Sequence, residues 1–181
     1  MSVDYVQRVV RPTIPSAYLA DIEAWLLTRA FQTEAKGDRL SFHACWSLND
    51  IFENILSPDQ ELGKALASSR EICRGLCVAV EREILKSDVI MLGAVDYESI
   101  FQSIIQRHPD LRHISIEECD RNTRAIDCDE SFTLITADAI ESIRTVGVYE
   151  NGYYKSVKIV GRSGALKPES PYILFSKEDV S

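Results

Sequence analysis

Four residues have the types and spacing to bind a soft metal or to do redox chemistry: His43, Cys45, Cys73 and Cys77. Cys73 and Cys77 are four apart, so on a helix they share a face. His43 and Cys45 are two apart, so on a strand they share a face as well. Imidazole nitrogen and thiolate sulfur are ligands that suit zinc, and the two pairs together would supply a tetrahedral set. The spacing is not that of a zinc finger, which places a turn between its two cysteines, and no metal site is assigned. Core packing is the simpler reading, because cysteine is among the most buried residue types and Cys73 and Cys77 fall on an apolar stripe. Redox or ligand sensing is the other use of the same side chains.

The second constellation is ionic. Residues 117–130 carry Glu117, Glu118, Asp120, Asp127, Asp129 and Glu130 against Arg121 and Arg124, a local charge of -4. Residues 153–162 carry Lys155, Lys158 and Arg162 and no acid. The pattern reads as a solvated acidic loop beside an exposed basic strand, and such a loop can dock a basic partner. Asp127, Asp129 and Glu130 supply the oxygens that hard cations take, but the EF-hand spacing with its central glycine is missing. Cys119 and Cys128 flank the loop, where neighbouring carboxylates raise a thiol pKa and dull its reactivity. Gly161-Arg162-Ser163-Gly164 could fold into an anion nest, although an ordinary loop accounts for it equally. There is no Gly-x-Ser-x-Gly elbow and no phosphate loop ending in Gly-Lys-Ser. No catalytic residue is therefore assigned and no cofactor is named.

These residues sit in a chain of 181 with 45% hydrophobic and 27% charged residues, which are globular values. One domain over 1–181 is expected, helix-rich over 1–87 and sheet-rich over 88–181. The net charge of -8 disfavours nucleic acid and acidic membrane surfaces as partners. Five cysteines, an odd count, and no secretory signal in residues 1–10 point to reduced thiols and a cytoplasmic location. No apolar run approaches the ~20 residues of a membrane span.

The elements follow from periodicity and punctuation. Val3 to Val10 reads as an edge strand or arm, closed by Pro12 and Pro15. Ser16 caps a helix to about Thr33, and Lys36-Gly37-Asp38 is a turn. Leu40 to Trp46 is a strand with Leu40, Phe42, Ala44 and Trp46 on one face. A short helix runs from Asn49 or Asp50 to Leu56. Asp59 to Lys86 is one helical stripe, with room for a break near Ser68-Ser69. Asp88 to Val95 reads as a doubly buried strand, Asp96 to Arg107 as a helix, and Leu111 to Ile116 as a strand. Together these three predict a parallel, right-handed βαβ unit. A strand at Ser131 to Thr136, a short helix at Asp138 to Ile143 and a strand at Val146 to Tyr149 follow. Asn151-Gly152 marks a two-residue hairpin turn into Tyr153 to Val160. A loop over 161–171 and a strand at Tyr172 to Phe175 close the series. The fold class is thus α/β or α+β: a mixed central sheet, a buried βαβ unit, an N-terminal helical layer and a C-terminal hairpin.

One window resembles a known family. Ala79-Val80-Glu81-Arg82-Glu83 ends a helix, Val89 to Gly93 follows as a buried strand, and Glu130 to Ile135 places an acid before a later strand. This layout is similar to that of the DICT sensory domains, small modules that occur beside cyclic-dinucleotide synthases and two-component signalling proteins. The resemblance covers about half the chain, and Val95-Asp96 stands where that family often has a Phe-Gln type pair. It implies a sensing or regulatory role without catalysis and carries over no functional residue. The expected function is a non-catalytic regulatory or sensory domain binding a small molecule or a protein partner. An interaction or inhibitor module using residues 117–130 is the alternative, and a small, metal-dependent enzyme is a third. The apolar helical stripe would serve a homodimer or a monomer's core equally.

Overall fold

The computed structural model describes residues 5–47, 55–91, 95–121, 128–150 and 153–164. Its frame is a seven-stranded sheet in the order β2-β3-β1-β6-β7-β8-β9. The strands are β1 (Tyr5–Pro15), β2 (Gln32–Lys36), β3 (Arg39–Ser47), β6 (His113–Arg121), β7 (Cys128–Thr136), β8 (Ala139–Glu150) and β9 (Tyr153–Gly164). A separate ribbon pairs β4 (Ile55–Leu56) with β5 (Ile90–Met91). The described α-helices are α1 (Asp21–Ala30), α2 (Gln60–Ser69), α3 (Arg74–Ser87) and α4 (Tyr97–Arg107). The class is mixed α and β, as expected, with every described strand pair antiparallel.

Several elements differ from the sequence reading. β1 is no edge strand: it lies between β3 and β6 and runs on through Pro12 to Pro15. Proline has no N–H for a ladder, and the register on the β3 side shifts between Val10 and Ile14, which takes up the irregularity. The helix expected from Ser16 starts only at Asp21, after a 3-10 turn at Ser16–Tyr18. Ser16 is occupied elsewhere, donating from both its N–H and Oγ to the carbonyl of Asp38 at 2.8 and 3.0 Å. Gln32–Lys36 leaves the helix and pairs with β3 around Gly37, whose φ of 68° is a conformation glycine adopts without strain.

The long stripe over 59–86 does break at Ser68-Ser69, where α2 ends and from which α3 is separated by residues 70–73. α2 is capped by Asp59 Oδ1, which accepts the Leu62 N–H at 2.7 Å. A tight turn through Cys73 N–H to the Ser69 carbonyl, 2.8 Å, then redirects the chain into α3. The helix expected before Leu56 falls largely on residues 48–54, outside the described residues, and Ile55–Leu56 is strand. Residues 92–94 also lie outside them, and Ile90–Met91 pairs with β4 and not with β6. The βαβ unit is therefore absent: both neighbours of β6 are the antiparallel strands β1 and β7, so no slot for a parallel partner remains.

The described part of the charged stretch 117–130 is strand, with Glu117 to Arg121 in β6 and Cys128 to Glu130 in β7, and residues 122–127, where a loop was expected, lie outside the described residues. The helix expected over 138–143 is instead a bend at Asp138 and strand from Ala139, because β7 turns tightly into β8 with Thr136 Oγ1 accepting the Ala139 N–H at 3.1 Å. β8 and β9 pair as the hairpin reading requires, with Glu150 opposite Tyr153, while the turn residues 151–152 lie outside the described residues. β9 continues through Gly164, and the strand expected at 172–175 lies outside the described residues.

Register places Val10, Ile14, Phe42, Ala44, Ile114, Ile116, Thr133 and Ile135 on one face of the sheet, all buried. The four helices cover that face. Ile22, Leu26 and Leu27 of α1, Leu62 of α2, Leu76 and Val80 of α3, and Ile100, Phe101, Ile104 and Ile105 of α4 complete the core. Phe31, Phe42, Tyr97 and Phe101 meet mostly edge-to-face, with centroids 5.2–6.2 Å apart. On the opposite face no described side chain is buried.

Candidate functional site

The two halves of the soft-ligand constellation fall on opposite sides of the sheet. His43 stands on β3 with its neighbours Phe42 and Ala44 turned into the core, so it belongs to the open face. Cys73 and Cys77 are buried in the helical layer. The side chain of Cys45 lies outside the described residues. Among the described residues, no three His, Cys, Asp or Glu groups come together to hold a metal ion. Cys73 Sγ lies 3.5 Å from Glu23 Oε1 and Cys77 Sγ 3.7 Å from the Leu66 carbonyl. Burial, reinforced by the charge of Glu23, pushes the Cys73 thiol up to about 12. Burial also raises Cys77. Both are thiols held in a packed core, and a thiol is a poor nucleophile compared with its thiolate.

The ionic constellation is divided by the alternation of the strands. Glu118 turns to the helix side, where Arg8 of β1 pairs with it (Nη2–Oε2 2.5 Å). Glu117 faces the open side and meets Arg11 at 3.6 Å, both side chains more than half exposed. Glu130, opposite Cys119, is exposed and has no ion-pair partner among the described residues. Asp120 stands opposite Asp129 in the ladder, but their side chains, and Asp127 as a whole, lie outside the described residues. Lys155, Lys158 and Arg162 hold register positions opposite Val148, Thr145 and Glu141, again without described side chains. Cations supplied by β1 help explain why the acids can stand in strands: Arg8 and Arg11 are the register partners of Glu118 and Ser115, beside Glu117.

What the residue pattern did not reveal is the surface between these groups. Phe132, Ile143 and Val160 are directly opposite one another across β7, β8 and β9, at 40%, 44% and 71% exposure. The same line continues through Glu117 on β6 to the half-buried Val9 on β1. A groove of about 490 Å³ opens here. Val9, Phe132 and Ile143 give it apolar walls, and Gln7 and Thr145 add an amide and a hydroxyl group. Glu117 and Glu130 bring carboxylates, and the half-buried Cys119 a thiol, while Glu118, its carboxylate turned to Arg8 on the other face, borders the groove between them. One signal for it was present in β7. In Ser131-Phe132-Thr133-Leu134-Ile135 apolar residues occupy both alternating sets, so both faces of that strand are apolar.

This arrangement can bind, by apolar contact flanked by fixed negative charge. Volume and lining fall within the range of small-ligand clefts and of the apolar patches that mark protein interfaces. Comparison with family models, with curated proteins and with solved structures finds no match to this chain.

Proposed function

We propose that the chain is a non-catalytic regulatory or sensory domain that binds a small molecule or a protein partner on the open face of its sheet. One observation carries the reading. Three large apolar side chains stand exposed in register, on a face where strand alternation calls for polar residues when water is the only neighbour. Exposure of one such residue is ordinary; a contiguous row bordering a groove is the pattern of an interaction surface. The layout shared with sensory domains around Ala79 to Glu83 supports the same role. The alternative of an interaction module built on 117–130 joins this reading, since the carboxylates of Glu117 and Glu130 line the groove.

Native mass spectrometry of gently purified protein, before and after a denaturing step, reads any bound mass. Hydrogen exchange with that ligand added back reads its location. Protection of the amides of β1, β6, β7 and β8 is expected. Protection confined to α1–α4, or turnover of a substrate that one side-chain change abolishes, overturns the reading.

A further inference from the structure

We propose that the apolar row is covered by a segment of this same chain, Tyr172-Ile173-Leu174-Phe175, which a ligand or partner must displace. The proposal rests on the reading above and adds the regulation of that surface. Phe132, Ile143 and Val160 lie on three successive strands, so their row is ~10 Å long at the usual ~4.8 Å strand spacing. Charge does not select the cover. Glu117 and Glu130 stand on this face, but register puts Lys36 and Arg39 there too, and Lys158 and Arg162 hold the positions flanking Val160. Apolar content and access select it instead.

Both favour the residues that follow β9. Residues 165–171 contain two prolines, and then come four consecutive large aromatic or aliphatic residues before Ser176-Lys177-Glu178-Asp179 turns polar again. Extended at ~3.3 Å per residue, the segment 172–175 spans ~13 Å, close to the length of the row. β9 borders the sheet beside β8 and carries Val160 four residues before its end at Gly164. Phe132 lies ~13 Å back along the strands and ~10 Å across them, so about 16 Å from Gly164 in a straight line. The seven residues 165–171 reach up to ~23 Å, which is enough. A tether this short gives an effective concentration of roughly millimolar, which a free ligand or a second copy at lower concentration must overcome by affinity. Adding 172–175 as a further strand beside β9 would leave Ile143 and Phe132, one and two strands inward, as exposed as before.

The test uses the full chain and two probes: Nile red, a neutral dye that brightens on apolar surface, and photo-crosslinking from Lys177→p-benzoylphenylalanine. Crosslinks within one chain to β7 and β8 around Phe132 and Ile143 are expected, and Ile143→Asp, at an exposed position that leaves the core intact, should remove most of them. Leu174→Ser/Phe175→Ser should raise Nile red binding about tenfold, since one of two adjacent residues faces the sheet whichever way the segment lies. Adding Ile143→Asp to that variant should return the dye to its starting level. Dye binding that Ile143→Asp lowers but Leu174→Ser/Phe175→Ser leaves unchanged would overturn the proposal while leaving the open face as the binding surface. Dye binding indifferent to Ile143→Asp in both backgrounds would overturn the reading of that face, and the proposal with it. Crosslinks confined to β9 or to the helices would overturn the proposal, and crosslinks between two chains would assign the face to a second copy and overturn it also.

Discussion

Glu23 is fully buried, and its removal should be among the most destabilising single changes in this chain. Its Oε2 accepts the Ala20 N–H at 2.9 Å and an Arg107 Nη2–H at 2.6 Å, while Cys73 Sγ lies 3.5 Å from Oε1. It thereby joins the start of α1 to the end of α4 and the start of α3. Glu23→Ala leaves a helix-starting N–H without its acceptor, which costs about 1 kcal/mol. It also deletes one partner of a buried ion pair, for which ~3–5 kcal/mol is usual. Arg107 is 22% exposed and bonds Ser103 Oγ as well, so water and that hydroxyl recover part of the loss. A net ~3–4 kcal/mol remains, or roughly a 10 °C fall in Tm for a chain of this size. Glu23→Gln retains the volume and the acceptor for Ala20 and should cost about half as much. Urea unfolding of the single variants, Arg107→Met and the double variant reads both the total and the coupling, expected at ~2 kcal/mol. A cost below ~1 kcal/mol for Glu23→Ala, or no coupling to Arg107, would refute the view that this pair ties the helices together.

Two further outcomes follow from titration. Burial, and then the charge of Asp96, raises the Glu98 carboxyl above its ordinary value, so the folded state holds that proton more tightly than the unfolded chain does. Its favourable contribution is complete below the unfolded value of ~4.3 and is lost as pH rises through the raised value. Glu98→Gln should therefore stabilise the protein at pH 7 and lose that advantage near pH 4; a loss of stability at pH 7 in urea unfolding would contradict this. For the thiols, Cys73 at about 12 leaves ~1 in 10,000 molecules as thiolate at pH 8. Alkylation of the native protein followed by peptide mapping should mark Cys119 well before Cys73 or Cys77, which react only when denaturant opens the helical layer. Modification of Cys73 at the rate of Cys119 would restore the sensing role to that pair.

Local chemistry determined much of this protein. The stop and start signals at Asp59, Asp96 and His108-Pro109, the turn at Gly37 and the pairing of Glu150 with Tyr153 are each set within a few residues, and all appear where the amino acids place them. The net charge and the mixed class are properties of the chain in the same sense. Tertiary pairing decided the rest. Val9 and Val10 make a strand, but nothing near them says that β3 and β6 cover both of its edges. Ile140 and Ile143 are spaced as on a helix, yet a tight turn from β7 lays them on opposite faces of a strand. The acids of 117–130 look like a loop when counted and become a ladder once Arg8 and Arg11 stand beside them. Phe132, Ile143 and Val160 are 11 and 17 residues apart along the chain and touch the same surface only through register. Register is set by long-range hydrogen bonding and by which face the helices bury, so a binding surface made of register is visible only in the folded sheet.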